Sequence, residues 1–264
     1  MAKAVKEDPK KKDPVKPAAS KALVDQKGGA LASRPSYIPA GSTGLEEADN
    51  QDFTVPRLAI CQSNSPQRKK QDPKFIQDLL EGQLFNTLSG EIYDTEIDLI
   101  PLYMIKTRIK FKPIAEGGGI ECQSFNAIDG GRLCETCASC PHSQFQEDEP
   151  PACYLIYSYP SLIVRDGKLT SELIAMSFKS ASTKVARNFN TMVRMRNAPL
   201  YAAMVHVTPI DDVGAGQQFF NYKLESRGWL DDQMFKQVTS FYESMNREAL
   251  KVHADDDPEP TGDI

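Results

Sequence analysis

Apolar and polar residues alternate with period two through most of the middle of the chain, and the period lengthens toward 3.6 in two places near its end. Extended segments are predicted at 53–60 and 82–86, with Gly90 at a turn and a short helical turn at 73–80 between them. A β-rich stretch at 96–103 runs directly into 104–112, where Lys106, Arg108, Lys110 and Lys112 alternate with Ile105, Thr107, Ile109 and Phe111. Period two puts the four cations on one face of a strand and leaves an apolar face to pack. Gly117, Gly118 and Gly119 break that strand. The β pattern resumes at 154–159, 162–165 and 173–178, and Asp166-Gly167 marks a hairpin. Over 182–197, Val185, Phe189, Met192 and Met195 or Arg196 recur at helical spacing; Ser182 or Thr183 supplies a cap, and Pro199 a stop. Strands at 201–209 and 217–227 come next, and Asp231 caps a final helix over 233–251. At least seven strands and two main helices make the fold mainly β, of the α+β class.

The two ends differ from this body. Residues 1–44 are rich in Lys, Pro, Ala, Gly and Ser with almost no aromatics, a composition that buries too little apolar surface to offset the cost of ordering. A disordered basic arm is expected there, a core at 45–253, and an acidic tail at 254–264. The chain of 264 residues carries a net charge of −5, unevenly spread. Seven Lys against three acids give the first 21 residues +4, whereas Asp255, Asp256, Asp257, Glu259 and Asp263 give the tail −5. The tail ends on a lone apolar residue, Ile264, and such a peptide can compete for a basic groove or be read by a partner protein. No run of about 18 apolar residues occurs, so no membrane span is expected.

Five of the six cysteines fall between Cys122 and Cys153, inside an insertion at 117–153. The central run is Cys134-Glu-Thr-Cys137-Ala-Ser-Cys140-Pro141-His142. The first residues, MAKAVKEDPKKKDP, hold no apolar stretch of signal length, so the cysteines are expected as thiols. Thiolates two residues apart bite one tetrahedral ion and two remote ligands close the site, which points to structural zinc. Cys137 and Cys140 form the knuckle, Cys122 and Cys153 the remote pair, and Cys134 and His142 are spare candidates. An iron–sulfur cluster is the rival, although its fourth cysteine with a following proline is missing.

Both basic windows, the one at 106–112 and Lys179, Lys184, Arg187, Arg194 and Arg196, contain no acid. Together they favour a polyanion such as nucleic acid over a merely solvated face. Single strands are held by rings stacking on bases above such a groove. Tyr103, Phe111, Tyr154, Tyr157, Tyr159, Phe189 and Phe220 are the available rings, with Tyr103 and Phe111 flanking the cationic strand; Trp229 reads as the anchor of the final helix. Only three histidines occur, and no phosphate-binding glycine loop, nucleophile elbow or metallohydrolase His-Glu pattern, so no enzyme is expected. Asp211-Asp212 reads as a turn.

In layout the cysteine set Cys122, Cys137, Cys140 and Cys153, the basic segments and the tail together resemble phage single-stranded DNA-binding proteins of the T4 type. The resemblance covers about the last 160 residues. It departs in cysteine spacing, in the histidine ligand of that family's site, and in the long N-terminal arm. It implies an OB-like barrel core interrupted by a zinc-binding loop. It also implies coating of single-stranded DNA in phage replication, recombination or repair within a bacterial cytoplasm, with replication or recombination proteins recruited by the acidic tail. The alternative is a zinc-ribbon interaction protein that binds a polymerase or transcription partner.

Overall fold

The computed structural model describes residues 37, 44–47, 54–146, 149–214 and 216–245. Among them are nine strands and two helices longer than a single turn. In chain order these are β1 (Arg57–Ile60), β2 (Leu84–Asn86), β3 (Ile97–Pro101), β4 (Ile105–Phe111), β5 (Ile120–Ser124), β6 (Tyr154–Arg165), β7 (Lys168–Phe178), α1 (Thr183–Arg196), β8 (Ala203–Gly214), β9 (Gln217–Trp229) and α2 (Asp232–Ser244). Most of the arm, and all of the acidic tail with Asp255, Asp256, Asp257 and Ile264, lie outside the described residues. No helix among the described residues is long and apolar enough to cross a membrane.

The long central strand β6 organises the sheet. Its second half pairs antiparallel with β3, its first half with β4, and its other flank with β7. The sequence pattern divides this strand at Pro160-Ser161, yet it runs through without a break. Pro160 has no N–H to donate, and the interruption appears instead in the facing chain, where β3 and β4 are separated at 102–104 and the Leu102 amide donates to the Pro160 carbonyl at 2.8 Å. At that break the sheet forks: β3 continues outward to β8 and β9, and β4 to β5.

The main path runs β2-β1-β7-β6-β3-β8-β9; β1 and β7 are parallel and all other pairs antiparallel. In place of the closed barrel expected, the sheet is mixed and open, and no ladder joins β9 to β1 or β2 among the described residues. Side chains bridge that gap. Beyond the end of β1, the Gln62 amide donates through Nε2 to the Phe220 carbonyl at 2.8 Å and accepts the Phe220 N–H through Oε1 at 2.8 Å. The Tyr222 hydroxyl donates to the Leu58 carbonyl at 2.9 Å. The side-chain amide thereby occupies the place of one strand residue across the opening.

Strand alternation divides the core between the two faces of the sheet. Leu58, Leu99, Tyr159, Ile163, Met176, Phe178 and Val205 gather on one face with Ala186 and Phe189 of α1. Ile100, Leu162 and Val164 turn to the other and pack on Val238 of α2. Phe189 sets its ring edge-on to Tyr159 at 5.4 Å, and the Tyr159 hydroxyl donates to Asn190 at 2.7 Å, so α1 is fixed to the sheet by apolar and polar contacts together. Truncating Phe189 to Ala would cost about 3–5 kcal/mol.

Local signals account for the element ends. Asp166 and Gly167 both have positive φ, as a two-residue hairpin of the primed kind requires. Asp231 accepts the Met234 N–H at 2.8 Å, a cap worth about 1 kcal/mol. Asn197 closes α1 in the left-handed conformation. The expected Ser182 cap differs: its hydroxyl is tied to the Lys179 backbone and stabilises a 3₁₀ turn ahead of the helix. The helical turn expected at 73–80 is a run of plain turns, and the nearest 3₁₀ turn falls earlier, at Pro66–Arg68. Asp211 and Asp212 lie within β8 and not in a turn.

Candidate metal centre and nucleic-acid face

The insertion begins as β5, which pairs with β4, and then folds back over that hairpin. A short bridge between Asp129 and Thr136, with the Cys137 amide donating to the Ile128 carbonyl at 2.9 Å, brings Cys134, Cys137 and Cys140 above Cys122. The Ser143 hydroxyl donates to the carbonyls of Cys137 and Cys140, at 2.5 and 2.9 Å, and pins the knuckle. The Cys153 amide donates to the His142 carbonyl at 2.8 Å and ties in the return strand. Two glycines make the fold-back possible. A Cβ on Gly130 would stand 1.7 Å from the Cys134 carbonyl oxygen, and one on Gly131 would stand 2.7 Å from Cys122 Sγ.

Cys122, Cys134, Cys137, Cys140 and Cys153 all line one cavity of about 20 Å³, room for a single ion or water. His142 does not line it and lies within electrostatic reach of Glu121. Cys137, Cys140 and Cys153 are buried, Cys122 and Cys134 half-buried. As the side chains stand, no three Cys, His, Asp or Glu among the described residues are disposed to grip a metal. Cys137 Sγ is directed at the Asp129 carbonyl, 3.4 Å away, and Cys134 is hydrogen-bonded to Cys140, which pushes its thiol up to about 11. The shared cavity and the rotamers thus give different answers. The cavity carries more weight, because thiol orientation is a rotation about one bond whereas convergence of five cysteines is fixed by the backbone. Soft sulfur donors around a hole of one-ion size suit zinc. Cys61 stands apart, buried at the end of β1 with Leu79 and Phe85.

The cationic strand does not keep the acid-free face that its sequence promises. Lys106 lies over the buried Tyr157 ring at 5.7 Å. The Arg108 guanidinium turns into the insertion, lining the cysteine cavity and approaching the carbonyls of Ser143 and Cys153 at 3.4 Å each. Lys110 is ion-paired with Glu121 of β5, and this pairing holds the Glu121 carboxyl below its usual range. Lys112 is exposed and lies just beyond the strand.

The second window keeps its character. Lys184, Arg187 and Arg194 are exposed on the face of α1 opposite Ala186 and Phe189, and α1 contains no acid. None of the three forms an ion pair with a described residue. Asp212 of β8 is within electrostatic reach of Lys184, although its own carboxyl is held low first by the Asn221 amide. Lys179 is half-buried ahead of the helix. Arg196 turns aside and lies over the Trp229 ring at 5.6 Å.

The aromatic candidates divide. Tyr159 and Phe189 are buried core, and Tyr157 is covered by Lys106. Phe111 is half-buried beside Tyr154, ring centroids 6.4 Å apart, and Phe220 is half-buried against the core at the sheet opening. Tyr103 packs in the α2 cluster, so it and Phe111 do not form one platform. Trp229 is 60% exposed and does not anchor the final helix; Leu230, Met234 and Phe241 carry that contact. Its exposure is not legible in the sequence, where a tryptophan between Gly228 and Leu230 just ahead of a helix reads as that helix's anchor. Glu121 escaped as well, because it is remote from the lysine window. His206 is buried with Asp98 at 2.7 Å and Glu96 at 3.5 Å, and Arg227 stands beside the same ring and pairs with Asp98 at 3.5 Å, a polar cluster that fastens β3, β8 and β9 together. His253 lies outside the described residues.

A family model described as Pam3 phage gp34-like protein matches residues 26–251, and the chain belongs to that phage protein family. No curated protein and no solved structure matches the chain.

Proposed function

We propose that this member of a phage protein family is a non-enzymatic single-stranded DNA-binding protein acting in phage DNA replication, recombination or repair. The observation that carries the reading is α1: an exposed stripe of Lys184, Arg187 and Arg194 on a helix without acids, rigidly seated on the sheet by Phe189. A pre-positioned row of cations that forms no ion pair among the described residues, with Asp212 alone within electrostatic reach of Lys184, suits a phosphate backbone. The open sheet with its side-chain bridge at Gln62 stands in this reading as an OB-like barrel, with the cysteine insertion held by one structural zinc on Cys122, Cys137, Cys140 and Cys153. Zinc there fastens the fold-back loop and supplies no chemistry. The acidic tail recruits replication or recombination proteins, in the host cytoplasm.

The test is titration of the full chain with dye-labelled oligo-dT, monitored by anisotropy at several salt concentrations. Binding that weakens as salt rises, with a log–log slope of about −2 to −3 for three to four phosphate contacts, supports the reading. Absent or salt-independent binding overturns it. A second reading, an interaction protein working through the zinc loop, is favoured by Ile128 and Phe145, which are 69% and 74% exposed on the insertion. Capture of a replication or transcription partner that survives loss of the α1 cations but not of Cys137 would establish it instead.

A further inference from the structure

The end of β9 is built to present a ring. Val205 pairs with Ser226 and Met204 with Gly228, so Arg227 is an extra residue, a bulge that bends the strand and re-aims Gly228 and Trp229. Gly228 then takes a φ of 107°, a conformation that side chains resist. Trp229 emerges from this turn still bound into the sheet opposite Ala203, and the Leu230 amide donates to the Ala202 carbonyl at 3.0 Å. The backbone under the indole is therefore fixed, although the ring is 60% exposed. Arg196, the last residue of α1, lies over it at 5.6 Å and is steadied by a contact to Met192 sulfur at 3.7 Å. A small apolar hollow lined by Phe189, Val193, Pro199 and Leu200 adjoins the pair. An exposed tryptophan on rigid backbone, at the end of a cationic helix, lacks a role in the core.

We infer that Trp229 is a base-stacking platform: a nucleobase of single-stranded DNA lies on the open part of the indole while its phosphates track Arg194, Arg187 and Lys184 along α1. The inference rests on the DNA-binding reading and names the residue that would hold a base within it. Charge favours an anionic occupant on the side of α1, where Arg196 lies over the ring at the end of a helix without acids, while Asp231 and Asp232 bound the other side two and three residues along the chain. Stacking needs only a π-face, so contact at Trp229 is tolerant of base identity. Arg196 limits access to one part of the ring and adds a cation–π contact that polarises it for stacking.

Trp229 is the chain's one tryptophan, so its emission reports on this position alone. The full chain is titrated with dye-labelled oligo-dT, reading anisotropy of the dye and emission of the tryptophan in parallel. Emission is expected to be quenched with the same midpoint as the anisotropy rise. Trp229→Phe keeps affinity within a few-fold, and Trp229→Ala loses about tenfold. The salt slope is unchanged in both, because no charge is removed. Anisotropy that reports binding while emission stays constant, or a folded Trp229→Ala variant that binds as well as the parent, overturns the platform and leaves the DNA-binding reading intact. No anisotropy change at any salt concentration overturns that reading, and the platform with it. Should Trp229→Ala fail to fold, the emission of the parent protein decides.

Discussion

Two stretches of this chain carry acid-free rows of cations, and the fold treats them in opposite ways. On β4 the row is dispersed: Lys106 covers a tyrosine, Arg108 serves the insertion, and Lys110 is neutralised by Glu121. On α1 the row survives, with Lys184, Arg187 and Arg194 exposed. The geometry of the two elements explains the difference. A helical residue meets neighbours three and four positions away, so the charges around it are written in the same sequence window. A residue on a strand meets partners on adjacent strands, and these come from anywhere in the chain. An acid-free helix window is therefore a statement about a surface; an acid-free strand window is not.

The largest effect expected from this contrast is on DNA affinity. Lys184→Glu, Arg187→Glu and Arg194→Glu combined should weaken oligo-dT binding by about 100-fold or more at low salt and flatten the salt slope by about 2. Lys106→Glu with Lys112→Glu should cost no more than about fivefold, because one of the two is already engaged with Tyr157. Anisotropy titrations of both sets side by side decide the matter, and a greater loss from the strand pair would invert the comparison.

How much of this is legible in the sequence obeys the same division between local and distant partners. The Asp166-Gly167 turn, the Asp231 cap and the Val185, Phe189 and Met192 face of α1 rest on chemistry within a few residues and stand as expected, whereas Met195, offered for the same face, is 81% exposed. The Cys137 and Cys140 knuckle is local too, whereas the place of Cys134 beside Cys122 and Cys153 on the same cavity depends on how the insertion folds back. Features that depend on distant partners are hidden: the open sheet bridged by Gln62, the continuity of β6 through Pro160, and the Glu121 pairing of Lys110. Gly130-Gly131 is a local signal that carries more than punctuation. Adjacent glycines ahead of a cysteine knuckle mark where backbone must pass against backbone, and both positions do.

The next largest effect separates the strand from the helix through the insertion. If the insertion holds zinc, the parent protein should carry about one equivalent per chain, and Cys137→Ser is expected to release it and to expose 117–153 to protease. Cys134→Ser is expected to keep the metal. If α1 carries the binding, as proposed, oligo-dT affinity of Cys137→Ser should fall only a few-fold even though the insertion is lost. Metal analysis, limited proteolysis and anisotropy on the same samples test the three statements. Retention of zinc by Cys137→Ser and its loss from Cys134→Ser would reassign the ligands.

A smaller effect is expected at Arg108. If its guanidinium belongs to the insertion, Arg108→Ala should destabilise that loop by about 1 kcal/mol, since each of its hydrogen bonds is long and the group half-exposed. Faster cleavage within 117–153, with DNA affinity unchanged within about twofold, would register this. Affinity that falls while proteolysis does not change would return Arg108 to a nucleic-acid face.

The smallest effect is the most discriminating, because it adds a binding charge without introducing a cation. Lys110 is held by Glu121 across the β4–β5 ladder, beside the irregularity at Lys110 and Phe111. Glu121→Gln keeps the shape of the side chain but removes its charge, so Lys110 gains freedom to meet a phosphate. If the strand lies within reach of the DNA and is merely neutralised, affinity should rise about two- to threefold and the salt slope should steepen by a fraction of one contact. If the DNA tracks α1 alone, neither quantity moves. Acid should mimic the substitution: the hydrogen bond from Lys110 holds the Glu121 carboxyl below its ordinary value, so it gives up its charge and releases the lysine at a lower pH than an unpaired carboxylate would. A gain in affinity appearing at neutral pH in the Gln variant, but only at strongly acidic pH in the parent, would show that the cationic strand is a masked extension of the helix surface and not a separate structural device.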